Sequence, residues 1–432
     1  GCLARAENVD LELLGKMKQA GCIVPGALMA KNCSVASIEE ITSHFEGESV
    51  LTADGVHEAV DSVSVRHYEG HVISILPQGN SKNLAVSATP EHPILVVRPE
   101  RFLPKINRSL GMKTHRLQKY AFENATRKDW QWIPANQICP SDLLVYPVFS
   151  DVADTETVVF PRRKGAYMLG KTEIPVDRAL LRLVGYYLAE GNHSGHSLSF
   201  DFGSDEEQYA HEVKSLIEAI FSPRHPVRIR PRKSTIEVSI GSTQLCEWFS
   251  QFGKNARAKH ISEWVMKLPP DKQRHILETF WLGDGCEISS GYDFTTSSRN
   301  LAEGLKRMLL RLKVFPCIYW TKQNRCFIEG RKVNSGESWC LRVNGLEAKK
   351  LSKHFDNGLY LDRKQYKQMV GHRDGFILVP IRHIENWNYE GEVHNIEVKK
   401  GTPSYTAMSY LTVHNCTYIS FGFESSDQGQ LD

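Results

Sequence analysis

Residues 83–97 read NLAVSATPEHPILVV, and in this stretch two apolar segments enclose the turn Thr89-Pro90-Glu91-His92. Apolar, β-branched runs bounded by turn residues are typical of β-strands, so the stretch predicts a strand, a tight turn and a second strand. Taken alone, a histidine in such a turn is an ordinary buried residue. What else His92 does depends on which parts of the chain the fold brings beside it.

The stretches farther out carry an internal repeat. Residues 68–75 (YEGHVISI) are matched by residues 389–396 (YEGEVHNI), and both alternate apolar and polar residues as half-buried strands do. Residues 50–55 (VLTADG) end in Asp-Gly, which is a strong hairpin signal. The outer parts of the chain are therefore predicted to form one duplicated, pseudo-symmetric all-β unit.

The two ends of the chain fit each other better than they fit their neighbours. Residues 11–21 (LELLGKMKQAG) predict a helix that stops at a glycine, but the apolar strand expected next appears only at residues 417–425 (TYISFGFES). Joining Gly21 directly to Cys416 restores a helix, a turn and a buried strand, which is one step of a parallel α/β sheet. The ends therefore predict an insertion between them.

The predicted insertion runs from Cys22 to Asn415 and is 394 residues long. It opens with a cysteine, closes with His414 and Asn415, and is followed by Cys416. The alternative is a start at Cys33, which is disfavoured because it would put the preceding stretch into the αβ turn of the flanks.

These junction residues can exchange peptide bonds for esters of similar energy without ATP. The thiol of Cys22 can attack the carbonyl of the residue before it, because even a small thiolate fraction is reactive. Cys416 can then accept the acyl group by transthioesterification. Asn415 can cyclise onto its own carbonyl and cut the second junction, while His414 polarises that carbonyl or transfers a proton. An S-to-N acyl shift then joins the flanks, so splicing is expected to need no cofactor.

The junctions, the strand-turn and the T-x-x-H turn together resemble the intein family of self-excising proteins. The resemblance implies an all-β Hint (Hedgehog/intein) horseshoe built from residues 22–165 and 375–415. It also implies that Thr89 and His92 hold and strain the first scissile amide. The flanks, residues 1–21 and the segment after Asn415, would then be extein fragments.

Two positions depart from the family pattern. Asn395 stands where an Asp is usual, and Pro403 stands where a His is usual. An Asp would help to activate the first thiol and transfer protons, so slower or differently coordinated splicing is expected. The joined flanks, residues 1–21 and 416–432, resemble part of the barrel of radical-SAM enzymes but carry none of the cluster-binding cysteines, so no radical chemistry is assigned to this chain.

Between the two Hint parts, over residues 176–366, alternation gives way to helices interleaved with basic hairpins. Residues 183–191 (LVGYYLAEG) and 277–285 (LETFWLGDG) each place small residues four apart, which lets two helices pack closely. Each segment ends in an acid followed by glycine, at Glu190 and Asp284. An acid at a helix C-terminus costs about 0.3–1 kcal/mol, so finding it twice favours paired metal-ligating acids over two ordinary helix stops.

These segments resemble the two LAGLIDADG motifs of homing endonucleases. The resemblance implies an α+β domain with pseudo-twofold αββαββα halves, Mg²⁺ bound between Glu190 and Asp284, and site-specific cleavage of double-stranded DNA in the uninterrupted host gene. Lys259, in Lys259-His260-Ile261-Ser262, is the candidate basic residue of the first active site, although the family often has Pro in place of Ser262. The matching lysine of the second half is not identifiable.

A basic hairpin at residues 226–240 is the predicted DNA contact. Arg228, Arg230 and Arg232 recur every second residue and share one strand face, which can enter a major groove. A solvated edge strand protected by charge is the alternative. The partner hairpin is predicted to use Lys322, Arg325, Arg331, Lys332 and Arg342.

Length and composition agree with two or three domains and a globular chain. The 432 residues contain 41% hydrophobic and 24% charged residues, without an apolar run long enough to span a membrane. The first ten residues contain two acids and no apolar block, so no signal peptide is expected. None of the ten cysteines forms a C-x-x-C pair, which argues against zinc or disulfides and for a reducing, cytoplasmic compartment. The net charge of +3 is almost neutral, so DNA binding would need a local basic face. We expect the protein to be a monomer.

Two rival functions remain open from sequence. One is a Hint domain that cleaves without ligating, as Hedgehog-type autoprocessing domains do. The other is a DNA-binding module whose nuclease has decayed. The His-Asn-Cys junction disfavours the first, and the intact acids Glu190 and Asp284 disfavour the second.

Overall fold

The computed structural model describes residues 21–32, 34–105, 114–160, 169–322, 326–328, 331–333, 336–361 and 367–415. The helix predicted over residues 11–21, the strand predicted over 417–425, Cys416 and the alternative start Cys33 therefore lie outside the described residues, apart from Gly21 itself. No helix within the described ranges is long and apolar enough to cross a membrane.

The elements fall into an early group, a middle group and a late group. The early strands are β1 (Leu28–Lys31), β2 (Ser34–Ser37), β3 (Ser49–Leu51), β4 (His57–Ala59), β5 (Ser62–Pro77), β6 (Val86–Ala88), β7 (Pro93–Val97), β8 (Trp130–Pro134) and β9 (Leu143–Pro147). The middle strands are β10 (Thr157–Val159), β11 (Glu173–Pro175), β12 (Gly191–His193), β13 (Ser197–Gly203), β14 (Arg228–Pro231), β15 (Thr235–Gly241), β16 (Gly285–Ile288), β17 (Gly291–Thr296), β18 (Cys317–Lys322), β19 (Cys326–Ile328), β20 (Arg331–Val333) and β21 (Glu337–Asn344). The late strands are β22 (Gly371–Arg373), β23 (Phe376–Glu397), β24 (Ser404–Ala407) and β25 (Leu411–His414).

Most helices belong to the middle group. In chain order they are α1 (Ile38–Ser43), α2 (Thr114–Asn124), α3 (Arg178–Glu190), α4 (Glu207–Phe221), α5 (Thr243–Phe249), α6 (Glu263–Lys267), α7 (Pro270–Asp284), α8 (Arg299–Arg311) and α9 (Gly345–Leu351). Their first residues follow ordinary capping rules: Asp177 accepts a hydrogen bond from Leu180 N at the start of α3, and Pro270 opens α7.

All early and late strands form one sheet, although the middle of the chain separates them in sequence. Its main path is β4-β3-β1-β24-β25-β7-β9-β23-β5-β6, with β2, β8 and β22 paired alongside. The predicted hairpin at residues 50–55 is present, with β3 antiparallel to β4 and Gly55 in the left-handed region at φ 81°. We call this sheet with its helices the outer unit.

The two repeated segments are paired with each other. Strand β5 runs antiparallel to β23, and Tyr68 lies opposite Gly391 as Tyr389 lies opposite Gly70. Both glycines have φ 155°, and each tyrosine ring folds over the glycine two residues later, so that a Cβ there would meet the phenol oxygen at 3.0 and 2.6 Å. The repeat thus explains why the outer unit joins early and late residues: the two copies form its longest strand pair.

The middle unit, residues 169–361, contains two four-stranded sheets of the same strand pattern. Their orders are β12-β13-β15-β14 and β16-β17-β21-β18. Each is preceded by one of the two long helices, α3 or α7, so the order αββαββα occurs twice, the second time with an added hairpin, β19 and β20. The unit is α+β, as predicted; the pseudo-twofold relation of its halves and the horseshoe shape of the outer unit remain predictions.

Helix α8 of the middle unit packs on the outer unit through buried charges. Glu303, Lys306 and Arg307 are almost fully buried and form ion pairs with one another at 2.8 Å. Lys306 Nζ donates to the hydroxyl of Tyr146 (2.8 Å) and to the carbonyl of Met408 (2.9 Å). The two units are therefore joined by a polar core as well as by apolar contacts.

Candidate splicing and nuclease sites

The backbone of Cys22 is held on both sides by Thr89. The Cys22 N–H donates to Thr89 Oγ1 at 2.9 Å, and the Thr89 N–H donates to the Cys22 carbonyl at 2.9 Å. Cys22 is fully buried, and Ile23 after it exchanges hydrogen bonds of 2.8 Å with His394 on β23. These contacts fix the amide that joins residues 21 and 22.

His92 packs directly against Gly21, on the other side of that amide. A Cβ on Gly21 would lie 2.2 Å from His92 Cα and 2.5 Å from its Cβ, so the position has no room for a side chain. Burial lowers the pKa of His92 to about 4. A hydrogen bond with the backbone of Gly21 raises this pKa, and His414 in its protonated form lowers it. His92 is therefore neutral at pH 7.

Asn415 is buried and its amide is positioned by two backbone carbonyls. Its N–H donates to Pro403 O at 3.2 Å, and its Nδ2 donates to Val398 O at 2.9 Å. His414 Nδ1 contacts the carbonyl oxygen of Asn415, and its ring packs edge-on against Trp132 at 4.9 Å. Burial lowers the pKa of His414, so its ring is neutral at pH 7.

The strand register brings the two junctions together. Val413 of β25 pairs antiparallel with Ile94 of β7. His92 and Asn415 each lie two residues beyond this pair, and His414 in its protonated form is close enough to lower the pKa of His92. The described junction residues thus converge on the turn from Thr89 to His92, while Cys416 lies outside the described residues.

Arg66 on β5 also contacts the first junction, and no pattern in the sequence predicts this. Its Nε donates to Cys22 Sγ at 3.4 Å, and its Nη2 lies 3.4 Å from Glu91 Oε1. Burial raises the pKa of the Cys22 thiol, Arg66 lowers it, and Glu91 raises it. Arg66 stands 44 residues from Cys22, and nothing in the local sequence links them.

Asn395 and Pro403, the two positions that depart from the family pattern, have clear structural roles. Asn395 is buried, and its Oδ1 accepts from the hydroxyl of Tyr405 and from Ile396 N, both at 2.9 Å. Pro403 supplies the carbonyl that holds Asn415. Neither residue carries a charge to the junctions.

Helices α3 and α7 pack closely through the small residues of the two repeated motifs. A Cβ on Gly185 would meet Thr279 Oγ1 at 2.0 Å, and a Cβ on Gly283 would meet that of Ala189 at 2.8 Å. Thr279 Oγ1 also donates across the interface to Arg182 O at 2.9 Å. This close approach brings the C-terminal ends of both helices, Glu190 and Asp284, side by side.

The two acids repel each other in a crowded cleft. Burial and then the charge of Asp284 raise the pKa of Glu190 to about 8. Burial raises the pKa of Asp284 to about 7, although this side chain keeps an exposed edge where water screens its charge. Asp201 and Glu206 add further negative potential. Such oxygen ligands under mutual repulsion fit a divalent cation such as Mg²⁺.

Lys259 lies buried close enough to these acids for their charges to act on it. Its Nζ donates to the carbonyls of Tyr187 and, at 2.6 Å, Gly191 at the end of α3, and it lies 3.4 Å from the centre of the Tyr187 ring. Burial lowers the pKa of Lys259 to about 7, against the charges of Asp284 and Glu190. The structure thus brings together the three side chains assigned from sequence to the nuclease.

A second acidic cluster in the middle unit is already neutralised. His275, Glu278 and Asp356 place ligand atoms within 4.8 Å of one another. Arg182 pairs with Glu278 at 2.8 Å and Arg178 pairs with Asp356 at 2.6 Å. We interpret this cluster as an ion-pair network.

The arginines of the basic hairpin are exposed, but two of them share an acid. Arg230 lies 3.9 Å from Glu237 on the neighbouring strand, and Arg232 contacts the same carboxylate. Arg228, opposite Ser239, lies on the same exposed face of the sheet. Part of the positive charge predicted for this face is therefore neutralised within the protein.

The second basic set is only partly described. Arg342 forms two hydrogen bonds with the carboxylate of Asp293, at 2.8 and 2.5 Å, and its guanidinium lies 5.3 Å from the ring of Tyr319. Arg325 and the side chains of Lys322, Arg331 and Lys332 lie outside the described part of the chain.

Comparison with known families identifies part of the middle unit. Residues 271–342, from the start of α7 into β21, match the family model of a LAGLIDADG-like domain. The chain contains a LAGLIDADG-like domain. The match includes Asp284 and the strands of the second four-stranded sheet.

Three curated relatives match the chain at low identity. An uncharacterised protein of Methanocaldococcus jannaschii is 26% identical over 93% of this chain and 51% of its own length. The iron-sulfur cluster assembly SufBD family protein of Mycobacterium bovis is 26% identical over 61% of this chain and 29% of its own. The ATP-dependent DNA helicase Hel308 of Thermococcus kodakarensis is 24% identical over 92% and 36%. This chain thus spans about half the length of the first relative and about a third of the others.

Among solved structures, the crystal structure of I-DmoI in complex with DNA and manganese matches at 13% identity. The match covers 43% of this chain and 99% of that chain, with a TM-score of 0.33.

Proposed function

We propose that the outer unit is an intein that excises residues 22–415 and joins the flanks. One observation supports this proposal: both ends of the described insertion lie at the same turn, with Thr89 bound to Cys22, His92 next to Gly21, and His414 close enough to act on His92. Neutral side chains at both junctions suit acyl transfer, which needs proton exchange with amides and no external energy source.

In the first step, Cys22 Sγ loses its proton and bonds to the Gly21 carbonyl carbon. The carbon–nitrogen bond then breaks, and the freed amino group of Cys22 takes up a proton. Thr89 holds the amide nitrogen through its hydroxyl, and neutral His92 stands beside the amide to exchange the proton. Because Gly21 packs against the backbone of His92 and Cys22 is bound by Thr89, the amide between them is held for attack.

In the later steps, the Cys416 thiol displaces Cys22 from the thioester and takes over the acyl group. Asn415 Nδ2 then attacks the Asn415 carbonyl carbon, forms a succinimide and releases the amino group of Cys416. His414 contacts that carbonyl oxygen, so a proton from its ring can stabilise the developing negative charge. The released amino group finally attacks the thioester, which leaves an ordinary peptide bond between the flanks.

The relatives support an inserted element. A SufBD family protein and a DNA helicase have unrelated printed functions, yet each matches this chain over only about a third of its own length. The match to the helicase covers 92% of a chain in which the predicted insertion is 394 of 432 residues. A shared insertion in different hosts accounts for this. The radical-SAM resemblance of the flanks remains a prediction.

Junction variants test the splicing proposal. The wild-type chain is expected to convert to a shorter protein on incubation, whereas Cys22→Ala is expected to block the first thioester and Asn415→Ala to block release of the second flank. Intact-mass analysis of each variant checks these outcomes. Identical processing in wild type and both variants would rule out the assigned chemistry.

We propose in addition that the middle unit is a site-specific DNA endonuclease. The observation that carries this is the meeting of Glu190, Asp284 and Lys259 at the paired ends of α3 and α7. Glu190 and Asp284 would hold Mg²⁺, which when bound supplies the activation of water and the stabilisation of the leaving oxygen. Lys259, held by the carbonyls of Tyr187 and Gly191, places a proton donor and acceptor beside both acids.

The DNA substrate follows from the insertion. Cleavage is expected in a duplex that encodes residues 1–21 joined directly to residues 416–432, with Arg228, Arg230 and Arg232 facing the DNA backbone or bases. Incubation of the excised protein with this duplex and Mg²⁺ should produce double-strand breaks, and Asp284→Asn should abolish them. A wild-type protein that leaves the duplex intact would contradict the nuclease proposal without affecting the splicing proposal.

A further inference from the structure

The thiol of Cys22 lies in a small apolar cluster that one basic side chain enters. The residues that surround it are Val24, Val72 and Val393, with Tyr68 and Tyr389 packed at the edge. An apolar environment disfavours the thiolate that the first acyl shift needs, because a charge loses its hydration on burial. Some group must offset this cost if Cys22 is to react at neutral pH.

Arg66 reaches this cluster from β5. Its Nε donates to Cys22 Sγ at 3.4 Å, and its guanidinium lies 5.5 Å from the centre of the Tyr68 ring. Its Nη2 lies 3.4 Å from the carboxylate of Glu91, with both side chains about a third exposed. Arg66 is therefore held between the nucleophile and an acid at the edge of the site.

Glu91 belongs to the same turn as Thr89 and His92. The turn thus contacts three parts of the first junction: Thr89 holds the amide nitrogen, His92 packs against Gly21, and Glu91 holds Arg66. Asn395, which stands where the family usually has an Asp, is neutral and accepts its hydrogen bonds from Tyr405 and Ile396. It supplies no charge to the thiol.

We propose that Arg66 is a catalytic residue of the first acyl shift, in which its guanidinium stabilises the Cys22 thiolate while Glu91 keeps it in place. The inference rests on the splicing function proposed above. Arg66 transfers no proton: the thiol proton leaves, the Sγ–carbon bond forms, the carbon–nitrogen bond breaks, and the freed amino group is protonated.

The charged groups that act on Cys22 predict a distinct pH dependence. Arg66 from β5 favours the thiolate, and Glu91 from the turn opposes it. The facing residues of β23, Val393 and Tyr389, are uncharged at neutral pH. An opposite charge in contact lowers the pKa of an acid by about 1–3 units, so loss of Arg66 should move the rate profile to higher pH by at least about one unit.

The first step can be measured alone in the full chain carrying Asn415→Ala and Cys416→Ala, which block the later steps. Dithiothreitol then cleaves the thioester, and mass spectrometry follows cleavage between Gly21 and Cys22 from pH 6 to pH 10. Arg66→Gln should slow cleavage about tenfold or more at pH 7, and the deficit should narrow only towards pH 10, because burial already raises the pKa of the Cys22 thiol. Arg66→Lys should recover part of the rate at pH 7. Arg101→Gln, which removes an exposed arginine, is the matched control and should leave the pH profile unchanged.

The outcomes separate this inference from the proposed function. If the parent cleaves and Arg66→Gln cleaves as fast as the parent at pH 7, or Arg66→Lys is no faster than Arg66→Gln, Arg66 has no electrostatic role and the inference is wrong while splicing chemistry stands. If the parent itself shows no thiol-dependent cleavage at any pH, the first step of the splicing proposal is wrong and the inference falls with it.

Discussion

At the scale of single residues, the first junction depends on the absence of a side chain at Gly21. A Cβ there would lie 2.2 Å from the backbone of His92, which cannot move away without displacing the turn. Gly21→Ala is therefore expected to displace the scissile amide and slow the first acyl shift by roughly 10²-fold. Thiol-induced cleavage in the blocked chain measures this rate. An unchanged rate would show that the contact with His92 does not position the amide.

His92 also predicts a dependence of stability on pH. Its pKa in the folded chain is about 4, below the ordinary value of 6.5, so the unfolded chain binds more protons between these values. Above pH 6.5 the ring is neutral in both states and does not reduce the free energy of unfolding. As the pH falls from 6.5 towards 4, the free energy of unfolding decreases by about 1.4 kcal/mol per pH unit. Denaturant titrations should show a shallower acid slope for His92→Gln. Equal slopes for wild type and variant would contradict the buried, neutral state of this ring.

The residues of the first junction differ in how far sequence could predict their placement. Thr89 and His92 belong to one short turn, so local sequence was enough to group them, and the junction residues Cys22 and Asn415 were recognisable by their chemistry. Arg66 could not be found in this way. It meets Cys22 only because β5 pairs with β23 and β6 along the sheet, and such pairing is a property of the whole fold.

At the scale of elements, the two long helices end at the residues expected from sequence, Glu190 and Asp284. The close helix packing was predictable because small residues four apart leave a groove on one helix face. The hairpin of β19 and β20 lies within the predicted basic partner hairpin, although no period in the sequence marks its two strands. The neutralisation of Arg230, Arg232 and Arg342 was missed, because their acidic partners lie on neighbouring strands.

The paired acids at these helix ends favour the binding of a divalent cation but destabilise the metal-free protein. Without metal at pH 8, Asp284→Asn removes the repulsion that raises the pKa of Glu190, so the variant should melt higher than wild type by roughly 2–4 °C. Added Mg²⁺ should raise the melting temperature of wild type but not that of the variant, which should also fail to cut DNA. Differential scanning calorimetry with and without Mg²⁺ provides the test. A variant less stable than wild type without metal would show that Asp284 has a structural role instead.

At the scale of the whole molecule, the middle and outer units share a buried ionic cluster. Lys306 on α8 pairs with Glu303 and donates to Tyr146 and Met408 of the outer sheet. Met408 lies in the turn before β25, the strand that ends at His414. A change in the middle unit can therefore reach the strand that carries His414 through this contact.

Lys306→Met should destabilise both units together. Glu303 keeps its ion pair with Arg307 in this variant, but the buried Tyr146 hydroxyl and Met408 carbonyl lose the donor they share, which typically costs about 1–3 kcal/mol. We expect slower release at Asn415 and a lower denaturation midpoint, although residue 306 is far in sequence from both junctions. Lys128→Met, which removes an exposed lysine, is the control and should change neither quantity. Normal splicing in a destabilised Lys306→Met chain would indicate that the two units act independently.

The central claim is that the chain removes residues 22–415 and joins what remains. The most direct measurement is the mass of the products after the purified full chain is incubated. We expect a 38-residue peptide in which Gly21 is joined to Cys416, together with a 394-residue protein that begins at Cys22. Separate flank fragments without the joined peptide, or a chain that stays at its full mass, would contradict it.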